Sequence, residues 1–81
     1  MIIKDVYIIG ENKPPKNRRY LSLTEIDRFT AAEGLTMPGY LSGARTFETL
    51  ERATDYNRRL CPYSEMKVYK YNPCSCVVME V

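Results

Sequence analysis

Apolar and polar positions along this chain alternate in stretches separated by glycine and proline, and the spacing changes character from one stretch to the next. Between Gly39 and Tyr71 the pattern predicts strand, helix, strand. Tyr40 to Phe47 is a short segment bounded by glycine, and Met66 to Tyr71 alternates as an extended chain does. Between them Leu50, Ala53, Tyr56 and Leu60 recur at three- and four-residue spacing, which places them on one helical face, with Glu51, Arg52, Asp55, Arg58 and Arg59 largely outside it. The expected helix runs from Glu48 to Leu60. Thr49 or Thr46 supplies the N-cap oxygen, Glu48 and Glu51 sit at the positive end of the dipole, Arg58 and Arg59 at the negative end, and Pro62 stops it. The pairs Glu48 with Arg52 and Asp55 with Arg59 each add about 0.2 to 0.5 kcal/mol.

The residues before this unit read as a strand and a second helix. Ile3, Asp5, Tyr7 and Ile9 share one face of an extended segment and Ile2, Lys4, Val6 and Ile8 the other, the signature of an interior strand ended by Gly10. Glu11 to Arg19, centred on Pro14 and Pro15, breaks the pattern and forms a connection into a short strand at Tyr20 and Leu21. Ser22 followed by Glu25 has the form of a capping box, and Leu21 with Ile26 that of a hydrophobic staple. Leu23, Ile26 and Phe29 then form a stripe and Gly34 fits the left-handed position past a helix end, so a helix is expected from Leu23 to Glu33.

A turn at Met37-Pro38-Gly39 follows, and Gly43 suggests a bulge or a close backbone approach. The tail from Glu65 to Val81 reads as an antiparallel hairpin turning at Asn72-Pro73. Lys67, Tyr69 and Tyr71 lie on one face of its first strand, and Met66, Val68 and Lys70 on the other. Residues 1–81 are therefore expected to form a single α+β domain: a four- or five-stranded, mainly antiparallel sheet with two helices packed on one face.

Composition narrows the class without naming it. An apolar share of 44% and a charged share of 27% are those of an ordinary folded domain. A chain of 81 residues buries roughly 60 to 65% of its unfolded surface, which implies a small core. A net charge of +2 does not by itself argue for nucleic acid or membrane. Lys4 and Asp5 interrupt the first apolar run, so it does not read as a signal peptide, and no run approaches the length of a membrane span. Three cysteines, an odd number, point to free thiols and a cytoplasmic location.

The residue types that carry catalysis are sparse. With no histidine in the chain, the commonest general base and metal ligand is missing. Cys61, Cys74 and Cys76 have a C-x-C spacing unlike structural zinc sites and read as small hydrophobes. Ser64 and Lys67 match S-x-x-K, yet they lead into a strand and not a helix start. Gly39 and Gly43 lack the Lys-Ser/Thr of a phosphate loop. The expectation is a protein that is not an enzyme, with no cofactor and no metal.

Binding is the remaining chemistry. Lys13, Lys16, Arg18 and Arg19 place four cations within seven residues, with no acid between them, fit for a phosphate backbone or an acidic protein groove, or simply for solvent. Arg58 and Arg59 are further candidate anchors. Tyr69 and Tyr71 beside Lys67 would serve as a stacking platform for bases if exposed, or as core side chains with hydroxyls at the rim.

Gly39-Tyr40-Leu41-Ser42 and Ala44-Arg45-Thr46-Phe47, followed by Glu48-Thr49-Leu50-Glu51-Arg52-Ala53 and the strand Met66-Lys67-Val68-Tyr69, form a pattern that resembles small phage-encoded accessory proteins. The preceding half, with Val6-Tyr7-Ile8-Ile9 and then Leu21-Ser22-Leu23, is similar to small anti-CRISPR proteins. The resemblance implies a non-enzymatic inhibitor that binds a host defence protein or ribonucleoprotein complex and blocks its nucleic-acid path. Such inhibitors are often acidic DNA mimics; this chain departs from that version in being slightly basic, so docking and not charge mimicry is expected of it. The alternatives are a nucleic-acid binder using loop 13–19 and a structural subunit of a phage particle.

Overall fold

The computed structural model describes residues 4–27, 32–59 and 65–81. Their elements are β1 (Val6–Glu11), β2 (Leu21–Asp27), β3 (Ala32–Leu35), α1 (Leu50–Arg58), β4 (Met66–Asn72) and β5 (Val77–Glu80), with a 3-10 turn at Pro15–Asn17. One sheet has the order β1-β4-β5 and the other pairs β2 with β3. All these ladders are antiparallel. The α+β class expected from the sequence is therefore present.

The three-stranded sheet is covered on both faces, which is why β1 carries apolar residues on both sides. Ile8 lies opposite Tyr69 and packs with Tyr20, supported by Leu41, Ala44, Tyr71 and Val78. On the other face Ile9 packs with Leu21 and Met66, supported by Phe47, Tyr56 and Val68. Successive residues of a strand face opposite ways, so Ile8 and Ile9, both fully buried, anchor two layers. On the edge of β1 away from β4, Tyr7 and Phe47 exchange backbone hydrogen bonds of 2.8 Å in both directions, and Gly10 bridges Tyr20. The strand is thus interior, as its pattern implies, but runs one residue past Gly10.

The helix expected at Leu23 to Glu33 is not formed. Leu21–Asp27 and Ala32–Leu35 are paired strands, and the intervening 28–31 lie outside the described residues. Tertiary hydrogen bonds override the local helix marks: Leu23 N donates to Gly43 O, and Arg45 N to Leu21 O, both at 2.8 Å. Ser22, read as a cap, is buried and bridged to Ala44. Gly34, read as a helix stop, lies within β3.

The strand expected at Tyr40 to Phe47 is also replaced, here by turns. Gly39 and Gly43 have φ of 84° and 83°, the left-handed conformation that glycine adopts without steric cost and that interrupts an extended segment. Tyr40 N donates to Met37 O and Ala44 N to Leu41 O, so the segment meets its neighbouring strands only through isolated bridges at Ala44 and Phe47 and forms no strand of its own among the described residues.

The helix of the central unit is present in shortened form, from Leu50 to Arg58, with the Thr49 side chain accepting from Arg52 N. Asp55 and Arg59 form the i,i+4 pair at 3.1 Å. Its buried face is narrower than the stripe implies. Ala53 is fully buried and Tyr56 packs on Phe47 at 5.4 Å between ring centroids, whereas Leu50 is 39% exposed. Leu60 lies outside the described residues. Among the described residues this is the one α-helix on the sheet, and β2, β3 and the 36–44 turns take the place of the second.

The C-terminal hairpin stands as expected, with Tyr71 opposite Val78 and Asn72 opposite Val77. Asn72 Oδ1 accepts from the backbone N–H of both Cys74 and Ser75 at 3.0 Å, and Cys76 takes φ of 57° to close the turn. Cys74 and Cys76 are exposed free thiols, not the buried hydrophobes that their place beside an apolar run suggests. A turn has no interior face for them to share. No helix among the described residues is long and apolar enough to cross a membrane.

Candidate partner-binding surface

The basic segment between β1 and β2 is held by one acid just before it. Glu11 ends β1, and its carboxylate accepts from Arg19 Nε at 3.0 Å, from Arg19 Nη2 at 2.9 Å and from Arg19 N at 2.9 Å. Lys13 Nζ lies 3.3 Å from the same group. The forked hydrogen bonds from Arg19, opposed by burial, hold the Glu11 carboxyl at about 2, well below the ordinary 4.5. Its backbone is equally engaged: Glu11 N donates to Arg19 O, and the Tyr69 hydroxyl donates to Glu11 O at 2.9 Å.

Arg18 is committed inward. It is 7% exposed, its Nε donates to Lys13 O at 3.1 Å, and its guanidinium carbon stands 4.0 Å from the centroid of the Tyr69 ring. Four clustered cations therefore do not present four charges to a partner: Arg18 braces the core, while Arg19 and Lys13 share the charge of Glu11. Lys16 is exposed on the 3-10 turn and makes no ion pair among the described residues.

The tyrosines take the core role. Tyr69 is 1% exposed, roofed by Arg18, and its hydroxyl is pushed up by burial, against the Arg18 charge. Tyr71 is half-buried, with its hydroxyl donating to Cys76 Sγ at 3.9 Å; burial and that contact raise it. A ring covered by a guanidinium offers no face for a base to stack on.

Arg58 and Arg59 are exposed at the C-terminal end of α1, and Arg59 is paired with Asp55. Asn57 Nδ2 donates to Met66 O and Asn12 N to Glu65 O. The helix end and the start of the basic segment thus meet at the start of β4, so these arginines share one end of the sheet with Lys13.

Sequence reasoning overlooked the apolar half of the surface. Gly39 N donates to Arg18 O at 3.1 Å, which docks the Met37–Tyr40 turn on the basic segment, and Met37 and Tyr40 are 64% and 60% exposed. The signal available was two large apolar residues flanking a Pro-Gly turn, where a side chain has no strand face to enter. A second half-buried cluster joins β3, the 44–47 segment and α1. The Glu33 carboxylate accepts from Arg45 Nη1 and from the Tyr56 hydroxyl at 2.8 Å, and Arg45 lies over the Tyr56 ring at 4.7 Å. Burial first, then the Glu33 contact, raises the Tyr56 hydroxyl.

Among the described residues no group of three or more histidine, cysteine, aspartate or glutamate side chains is placed to hold a metal ion. Cys61 and Ser64 lie outside the described residues, and the three-thiol and S-x-x-K readings lie there with them. No family model, curated protein or solved structure matches the chain.

Proposed function

We propose that this chain is a non-catalytic docking protein of the phage-encoded inhibitor type, which binds a host defence protein complex through Lys16, Met37 and Tyr40, with Lys13, Arg58 and Arg59 at the rim. The observation that supports it is the engagement of Arg19 and Lys13 by Glu11 and of Arg18 by the Tyr69 ring, beside an exposed apolar turn. A phosphate backbone is bound by unpaired cations in number. A protein partner is bound by a few large side chains that bury area at low entropic cost, with charge at the margin. The arrangement favours the second. Arg18 and Arg19, the stronger anchors by their chemistry alone, act here as supports of the surface and not as contacts. The class of partner rests on the sequence resemblance to anti-CRISPR proteins, and blockage of a nucleic-acid path follows from that class.

The test is capture of the partner complex from the native host, followed by titration with wild type, Lys16→Glu and Tyr40→Ala. Each substitution is expected to weaken binding at least about tenfold, or 1.4 kcal/mol, with an unchanged melting temperature. Unchanged affinity in both variants overturns the surface assignment. Tight binding to free DNA or RNA that falls steeply with salt and is lost in Lys16→Glu favours the nucleic-acid reading instead.

A further inference from the structure

The outer edge of β5 has the form of a self-pairing strand. The sheet order is β1-β4-β5, so β5 has β4 on one side and, among the described residues, no strand on the other. An unpaired edge presents backbone donors and acceptors to any extended chain, and proteins that remain monomeric blunt it with a very short strand, charged side chains, proline, a bulge or a cover. β5 reads Val-Val-Met-Glu: at four residues it is short, but it has no lysine, no proline and no bulge. Its one charge, Glu80, is tied to Lys67 of β4 at 3.1 Å.

The helix does not cover it either. α1 packs on β1 and β4 and makes no contact with β5, because a helix of nine residues lies across two strands of the sheet. Met79 and Val77 lie opposite Lys70 and Asn72, on the face that carries α1 but beyond its reach. Val77, Met79 and Val81 are accordingly 48%, 56% and 64% exposed. They form one apolar row along an open edge.

We propose that β5 pairs antiparallel with β5 of a second copy of this chain, in a two-fold arrangement centred on Met79. Self-complementarity selects both the occupant and the register. With Met79 opposite its own copy, Val77 meets Val81 and Val81 meets Val77, so the row closes on itself as Val-Met-Val against Val-Met-Val. On the opposite face Glu80 meets Val78, and the two carboxylates are kept apart. A register centred on Glu80 would set like charges directly opposite, which destabilises a ladder. Such an interface is isologous, the same patch serving both copies, and it joins the two sheets into one with both helices on the same face. A ladder of this length buries far less than the roughly 1,200 to 2,000 Å² of a standard stable interface, so the dimer is weak and concentration-dependent.

Sedimentation of the full chain from about 1 μM to about 1 mM, a range that spans weak association, tests the proposal. Wild type is expected to shift from monomer to dimer across that range. Met79→Lys and Met79→Glu, each placing like charges at the two-fold axis, are expected to remain monomeric with an unchanged melt, because the side chain is exposed. Their equimolar mixture is expected to form a heterodimer again. A wild type that stays monomeric throughout overturns the proposal, as does a dimer that persists in both charged variants or a mixture that fails to recover association.

Discussion

The guanidinium of Arg18 lies over Tyr69 with its central carbon 4.0 Å from the ring centroid, and the hydroxyl of that same tyrosine donates to Glu11 O. The cation fills the space above the ring that an apolar side chain would occupy in a larger core, and its stem packs while its Nε is satisfied by Lys13 O. Arg18→Ala is expected to destabilise the fold by about 2 kcal/mol, the range of a desolvated cation–π contact with an attendant hydrogen bond. Urea melts check it, and a loss within experimental error of zero would return Arg18 to the list of solvent-facing contacts.

Gly10 sits where that same roof comes closest to β1. A Cβ added there would meet Tyr20 Cδ1 at 2.8 Å and Arg18 Cδ at 3.2 Å. Gly10→Ala is expected to cost about 1 to 3 kcal/mol, as overpacking does, even though the substitution would ordinarily stabilise a strand. A thermal melt at or above that of wild type would show that Tyr20 can withdraw.

Acid should weaken the protein through Glu11. Its folded-state value is about 2 against an ordinary 4.5, a depressed carboxylate, so its stabilisation is complete above about pH 4.5 and is lost as pH falls toward 2. Because Arg19 is partly exposed, solvent screening reduces the effect to about 1 kcal/mol. Unfolding free energies measured across that window should fall less steeply in Glu11→Gln. Parallel profiles for the two proteins would contradict the assignment.

Truncations on the two sides of the helix contact should differ. Ile9→Ala removes a fully buried side chain and is expected to cost about 2 to 5 kcal/mol. Leu50→Ala, at a position 39% exposed, should cost less than about 1 kcal/mol. Equal losses in denaturant melts would mean that Leu50 belongs to the core after all.

The sequence alone determined those elements whose local marks and tertiary role coincide. Thr49 caps a helix because its side chain is followed by residues with nothing better to do, and Met66 to Val81 forms a hairpin because alternation and the Asn72 turn specify the same register. β1 was legible for the same reason, with Ile8 and Ile9 facing opposite layers. The tertiary structure decided the rest. Ser22 and Glu25 carry helix-start chemistry worth about 1 kcal/mol, which backbone pairing of Leu21 and Leu23 with the 43–45 segment outweighs, and such non-local partners leave no trace in a local pattern. The candidate surface divides along the same line. Clustered cations were visible in the sequence, but whether each faces water depended on Glu11 and Tyr69, and Tyr69 is distant in the chain and adjacent in space. That pairing turned Arg18 and Arg19 into structure and left Lys16, with the overlooked Met37 and Tyr40, exposed.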